Sequence, residues 1–200
     1  MYRNGTKEKL YRALYKLATD RPVAEVSVSK LVSTAGVNRS TFYYHFESTQ
    51  AVLEEMISDF CKQYLRILSI PPGETAHSIS SEHQQKLEDE VCAYVASTSD
   101  DIRFFLSTHN YLTFRKQFFL CFQGYCRDHQ VMQTLPGGKV RPLKRGVVYD
   151  YYLRILAAQL LEILEYWAER NFSEGPEDFI HLFDALHSST ISLQGRPQHM

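Results

Sequence analysis

SVSKLVSTAGVNRSTFYYHFE, residues 27–47, is the stretch that decides the fold of this chain. It predicts two short helices joined by a glycine turn, a helix-turn-helix. Ser27 can cap the first helix, and Val28, Leu31, Val32 and Ala35 recur at i, i+3, i+4 and i+7 to make one apolar stripe. Gly36 ends that helix because it has no Cβ to oppose a left-handed conformation. Val37 can plug the corner, and Asn38 can cap the second helix, in which Phe42 and Phe46 lie four apart and face inward. Arg39, Ser40, Thr41, Tyr43, Tyr44 and His45 are left for the other faces. Hydrogen-bond donors and aromatic hydroxyls of this kind suit phosphates and base edges.

An ordinary helical hairpin with a polar outer face has the same periodicity, so residue detail has to separate the two. STFYYHFEST resembles the recognition-helix signature of the TetR family of bacterial transcriptional regulators: a small residue and Thr, an aromatic, Tyr, a variable residue, His and an aromatic. SVSKLVSTAGV resembles that family's first helix and turn, which extends the likeness over about twenty residues. The resemblance implies that Tyr43 and His45 hold phosphates, assisted by Thr41 and the N-terminus of the recognition helix. It further implies that Arg39, Ser40 and Tyr44 reach base edges, with Ser29 and Lys30 flanking them at the backbone. One position departs from the family pattern. Thr49 stands where the family commonly has Lys at the start of the next helix, so it can donate one hydrogen bond to a phosphate but brings no charge.

Composition fits a small soluble regulator. Two hundred residues with 44% hydrophobic content can bury a substantial core. The net charge of −1 conceals a split, because residues 1–50 carry +4 and residues 51–200 carry −5. Positive charge therefore accompanies the helix-turn-helix. No apolar run is long enough to span a membrane, and MYRNGTKEKL has no apolar segment resembling a secretory signal, so a cytoplasmic location is expected. Cys61, Cys92, Cys121 and Cys126 show no C-x-x-C spacing and fall in apolar helical patterns, which predicts small core residues. Cys121, Cys126 and His129 are five and eight apart and do not converge as metal ligands, so neither a metal nor a cofactor is expected.

Nearly all of the remaining chain reads as helix, with no alternating pattern that would support a sheet. The pattern predicts an all-α chain, with a three-helix DNA-binding head in residues 1–50 and a larger helical body in residues 51–200, and the resemblance implies that this body binds an effector and dimerises. Leu10, Ala13, Leu14 and Leu17 make a stripe that can cover the helix-turn-helix. A longer helix from Ser48 carries Val52, Met56, Phe60, Tyr64 and Leu68 near one face, connects head to body, and stops by Pro71, Pro72 and Gly73. A loop over residues 73–82 precedes a helix with Leu87, Val91 and Val95, a short helix over 102–106 and another over 111–128. Pro136, Gly137, Gly138 and Pro142 mark a second loop.

Two closing helices are expected, over 145–170 and 176–187, each apolar on more than one face. Such helices are buried on several sides, either inside a monomer or against a second chain. TetR-like proteins usually pair through their last two long helices, which implies a homodimer with Leu160, Leu164, Trp167, Phe179, Phe183 and Leu186 at its interface. Two heads could then bind two half-sites of a palindromic double-stranded operator.

An aromatic stripe of Tyr111, Phe114, Phe118, Phe122 and Tyr125 is compatible with plain core packing. The resemblance implies an effector pocket there for a small apolar or aromatic compound, lined by Phe104, His109, Tyr111, Phe114, Phe118, Phe122, Tyr151 and Tyr152. Catalytic signatures are missing: there is no G-x-S-x-G, no phosphate-binding glycine loop and no H-E-x-x-H. The expectation is a TetR-like regulator, a repressor released by its ligand, and not an enzyme. A helical ligand-binding or adaptor protein that has lost DNA binding is the alternative, supported by Thr49.

Overall fold

The computed structural model describes residues 5–69, 80–129, 131–134, 140–175 and 178. Helices α1 (Thr6–Ala18), α2 (Val28–Ala35) and α3 (Arg39–His45) form the head, with a 3-10 turn at Val23–Glu25 between α1 and α2. Helix α4 (Thr49–Ile67) leads into the body, which adds α5 (Ser81–Ser97), α6 (Ser99–Leu106), α7 (Tyr111–Asp128) and α8 (Val147–Glu169). No helix among the described residues is long and apolar enough to cross a membrane.

Local chemistry sets these limits. Asn38, Ser48 and Ser80 each accept a bond from the backbone amide three residues on, capping α3, α4 and α5. Each such cap stabilises its helix by about 1 kcal/mol. Ser80 places the start of α5 at Ser81, so the loop expected over 73–82 ends earlier than its composition implied. The all-α expectation needs one local correction. Backbones 132–134 (β1) and 140–142 (β2) pair antiparallel, Met132 with Pro142 and Thr134 with Val140, in a two-strand ribbon that the turn residues between them obscured in the sequence.

Packing ties head and body together. The stripe of α1 (Leu10, Ala13 and Leu14) is buried against Leu31, Phe42, Phe46, Val52 and Met56, and the same apolar core continues through Phe60, Phe105 and Phe114 to Leu164 and Trp167. Polar links brace the outside of this joint. Lys7 Nζ lies 2.7 Å from Glu55 Oε1, and the Tyr11 hydroxyl donates to Asp59 Oδ2 at 3.0 Å, joining α1 to α4. Helix α4 is therefore held by α1 of the head and by α7 of the body, to whose Thr113 Oγ1 Gln50 Nε2 donates at 3.3 Å.

Candidate nucleic-acid interface

The turn between α2 and α3 is fixed by backbone bonds. Gly36 adopts φ 63°, ψ 37°, its N–H donates to the Ser33 carbonyl at 3.4 Å, and the Val37 N–H reaches back to the Val32 carbonyl at 3.1 Å. These are the two bonds of a Schellman closure. They turn the chain so that Asn38 Oδ1 accepts from Thr41 N at 2.7 Å and from Ser40 Oγ at 2.8 Å, and α3 starts there. Phe42 and Phe46 then point into the head core at 0% and 6% exposure.

Burying those two rings leaves the rest of α3 outside. Tyr44 is 85% exposed and Tyr43 50%, while Arg39, Ser40 and His45 are also exposed and Thr41 is half-buried. Ser29 and Lys30 are exposed on the first turn of α2. The face is partly organised. The Arg39 guanidinium lies 5.6 Å from the Tyr43 ring centroid and donates to the Tyr43 hydroxyl at 3.3 Å, and the Tyr44 and His45 rings meet edge to face at 5.0 Å. A guanidinium held over a ring loses less rotamer freedom when it meets a base edge.

Two expected contacts change. Thr49 is only 8% exposed and its hydroxyl donates to the Val23 carbonyl at 3.5 Å, so its side chain joins the 3-10 turn to α4 inside the head instead of facing outward. The amide of Thr41 is already bonded to Asn38, which reduces what the N-terminus of α3 can offer an anion.

The body also departs from the expected pocket. Phe104, Phe114, Phe118 and Phe122 are buried, with Phe105 and Phe114 stacked at 5.5 Å and Phe114 and Phe118 edge to face at 6.0 Å, so they are core and not an open aromatic box. Packing wins because α4 presses Phe60 and Tyr64 into the same stripe. His109 and Tyr151 are exposed, and Tyr111 and Tyr152 are half-buried. Among the described residues, a groove of about 370 Å³ lies between α7 and α8. Phe118, Phe119, Ala157 and Leu161 line it together with Arg115, Lys116 and Arg154, three cations that an aromatic stripe in the sequence does not mark.

Helix α8 likewise presents a different face from the one expected. Leu164 and Trp167 are 0% and 4% exposed, packed in the chain's own core, and Leu160 is half-buried against it. The outward stripe is Val148, Tyr151, Ile155, Ala158, Glu162 and Tyr166. Phe179, Phe183 and Leu186 lie outside the described residues, as does the closing helix that was to carry them.

A capped and closed helix-turn-helix with a polar, aromatic outer face, set on a helical body, is the architecture by which a recognition helix can be presented to a DNA groove. Residues 10–56 match the family model for bacterial regulatory proteins, tetR family. The HTH-type transcriptional regulator EthR of Mycobacterium tuberculosis is 39% identical over 62 residues, which is 30% of this chain and 29% of that protein. The match thus spans less than a third of that relative. In structure, a chain from Syntrophomonas wolfei assigned to TetR-family transcriptional regulators aligns with a TM-score of 0.57 at 11% identity, covering 94% of this chain and 98% of its own. A TetR transcriptional regulator from Streptococcus agalactiae aligns with a TM-score of 0.50 at 19% identity, covering 90% and 92%. These likenesses extend the shared fold from the head through the body.

Proposed function

We propose that this chain is a cytoplasmic transcriptional repressor that binds a palindromic operator as a homodimer and lets go when an effector occupies its body. The observation that carries the reading is the outward face of α3, where Arg39, Ser40, Tyr43, Tyr44 and His45 are all exposed while Phe42 and Phe46 anchor the helix from behind. On this reading residues 1–50 are the DNA-binding head and residues 51–200 the body. Tyr43 and His45 hold phosphates, with Ser29 and Lys30 beside them, and Arg39, Ser40 and Tyr44 read bases.

Dimerisation supplies the second half-site, and the stripe on α8 supports it: Tyr151, Ile155 and Tyr166 are 66%, 56% and 59% exposed on one helix face. Large apolar side chains aligned in this way favour a partner over water. For the effector, the α7–α8 groove suits an amphiphile whose apolar part lies on Phe118, Ala157 and Leu161 and whose anionic end meets Arg115, Lys116 or Arg154. The basic rim adds an anionic end to the small apolar or aromatic compound expected from sequence.

Titrating labelled duplexes selected from a random pool tests the reading. Binding should be sequence-dependent and weaken with salt, and release should follow addition of medium-chain carboxylates or acyl thioesters. Failure to bind any duplex at low salt would favour the adaptor alternative.

A further inference from the structure

The four cysteines divide into unlike pairs. Cys61 on α4 and Cys121 on α7 belong to the same apolar core, in which those two helices pack on each other. Ser58, one turn before Cys61 on the same face of α4, has its Oγ 3.8 Å from Cys121 Sγ. Solvent distinguishes the two residues, because Cys61 is fully buried whereas Cys121 is half-buried.

Their ionisation differs in the same sense. The hydrogen bond from Cys61, with help from Ser58 and the charge of Lys62, lowers the Cys121 thiol to about 6 against the opposing effect of burial. Burial drives Cys61 well above the ordinary thiol range and holds Cys92 and Cys126 at about 11. A reachable thiolate beside a buried thiol is the arrangement in which oxidation at the first sulfur is resolved by the second.

We propose that Cys121 and Cys61 are a hydroperoxide-sensitive pair, Cys121 the attacking sulfur and Cys61 the resolving one, whose disulfide staples α4 to α7. The Cys121 thiolate attacks one peroxide oxygen; an S–O bond forms, the O–O bond breaks, and the departing oxygen takes up a proton and leaves as water. Cys61 sulfur then attacks the sulfenic sulfur, its proton passes to the leaving oxygen, the S–S bond forms, and a second water departs. The two thiols have given up two electrons and two protons, and the peroxide has accepted both. Because α4 is also bonded to the head through Glu55 and Asp59, the staple fixes the helix between head and body. Its effect on DNA binding rests on the function proposed above.

The test treats the reduced full-length protein with a small excess of hydrogen peroxide, followed by intact mass and non-reducing peptide mapping. The expected result is loss of two hydrogen atoms, a Cys61–Cys121 linked peptide, and full recovery on reduction. Cys61→Ser should stop at a sulfenic acid trapped by dimedone, and Cys121→Ser should keep Cys61 as a free thiol. In the untreated protein, alkylation of Cys121 by iodoacetamide should rise through a midpoint near pH 6. No linked peptide, a link through Cys92 or Cys126 or between chains, or a link that survives Cys121→Ser would overturn the proposal. DNA titrations before and after oxidation should differ by about tenfold, reversibly. A reduced form that binds no DNA counts against the regulator reading alone, with the disulfide decided by mapping. Unchanged affinity in the fully cross-linked protein removes its regulatory role.

Discussion

At the scale of single residues, Arg39 and Tyr43 share one feature and divide its work. Their cation–π contact presents one guanidinium and one hydroxyl outward from α3. A base reader discriminates and a phosphate anchor does not, so Arg39→Ala should cost about 1–3 kcal/mol on the preferred duplex and little on a scrambled one. Tyr43→Phe should weaken both duplexes about equally, and parallel titrations of the two variants check the division. Thr49 offers the complementary case. Its side chain is spent on the Val23 carbonyl, so Thr49→Val should leave DNA affinity within about twofold while removing a bond that contributes roughly 1 kcal/mol to the stability of the head. A large loss of affinity with unchanged melting would return Thr49 to the interface.

At the scale of elements, the helix-turn-helix depends on backbone geometry that only one residue type adopts without strain. A Cβ at Gly36 would meet nothing within 4 Å, so Gly36→Ala carries no clash, only the left-handed backbone cost. Denaturant melts should show a loss of about 1–2 kcal/mol. This level was the most legible in the sequence, because caps and turns are local: Ser27, Gly36 and Asn38 perform the roles their types suggest, and α7 spans the residues expected. What sequence did not disclose depends on partners far along the chain. Thr49 turns inward because Val23 offers it a carbonyl, Phe118 is core because α4 covers it, and Cys61 finds Cys121 sixty residues away. Helix α8 carries apolar residues on several faces, and composition could not say which face the rest of the chain had already used.

At the scale of the whole molecule, one apolar core runs from Leu10 to Trp167, so a change in the body has a packed route to the head through α4. That continuity suits a ligand-biased two-state body, since an effector shifts DNA affinity only by preferring one arrangement of the heads. In the proposed dimer, the two faces of α8 separate folding from assembly. Leu164→Glu would bury an unpaired charge in the core and should unfold the chain, whereas Ile155→Glu lies on the outward stripe and should give a folded monomer. Light scattering beside circular dichroism distinguishes these outcomes, and a monomeric parent chain at tens of micromolar would remove the dimer. The central claim is that the face of α3 reads DNA as one half of a symmetric pair. Its most direct measurement is selection of duplexes from a random pool by the reduced protein, with the stoichiometry of the selected complex. A palindromic consensus bound by an even number of chains, and lost with Arg39→Ala, is the predicted result; a pool that shows no enrichment, or a non-repeated site bound by one chain, would contradict it.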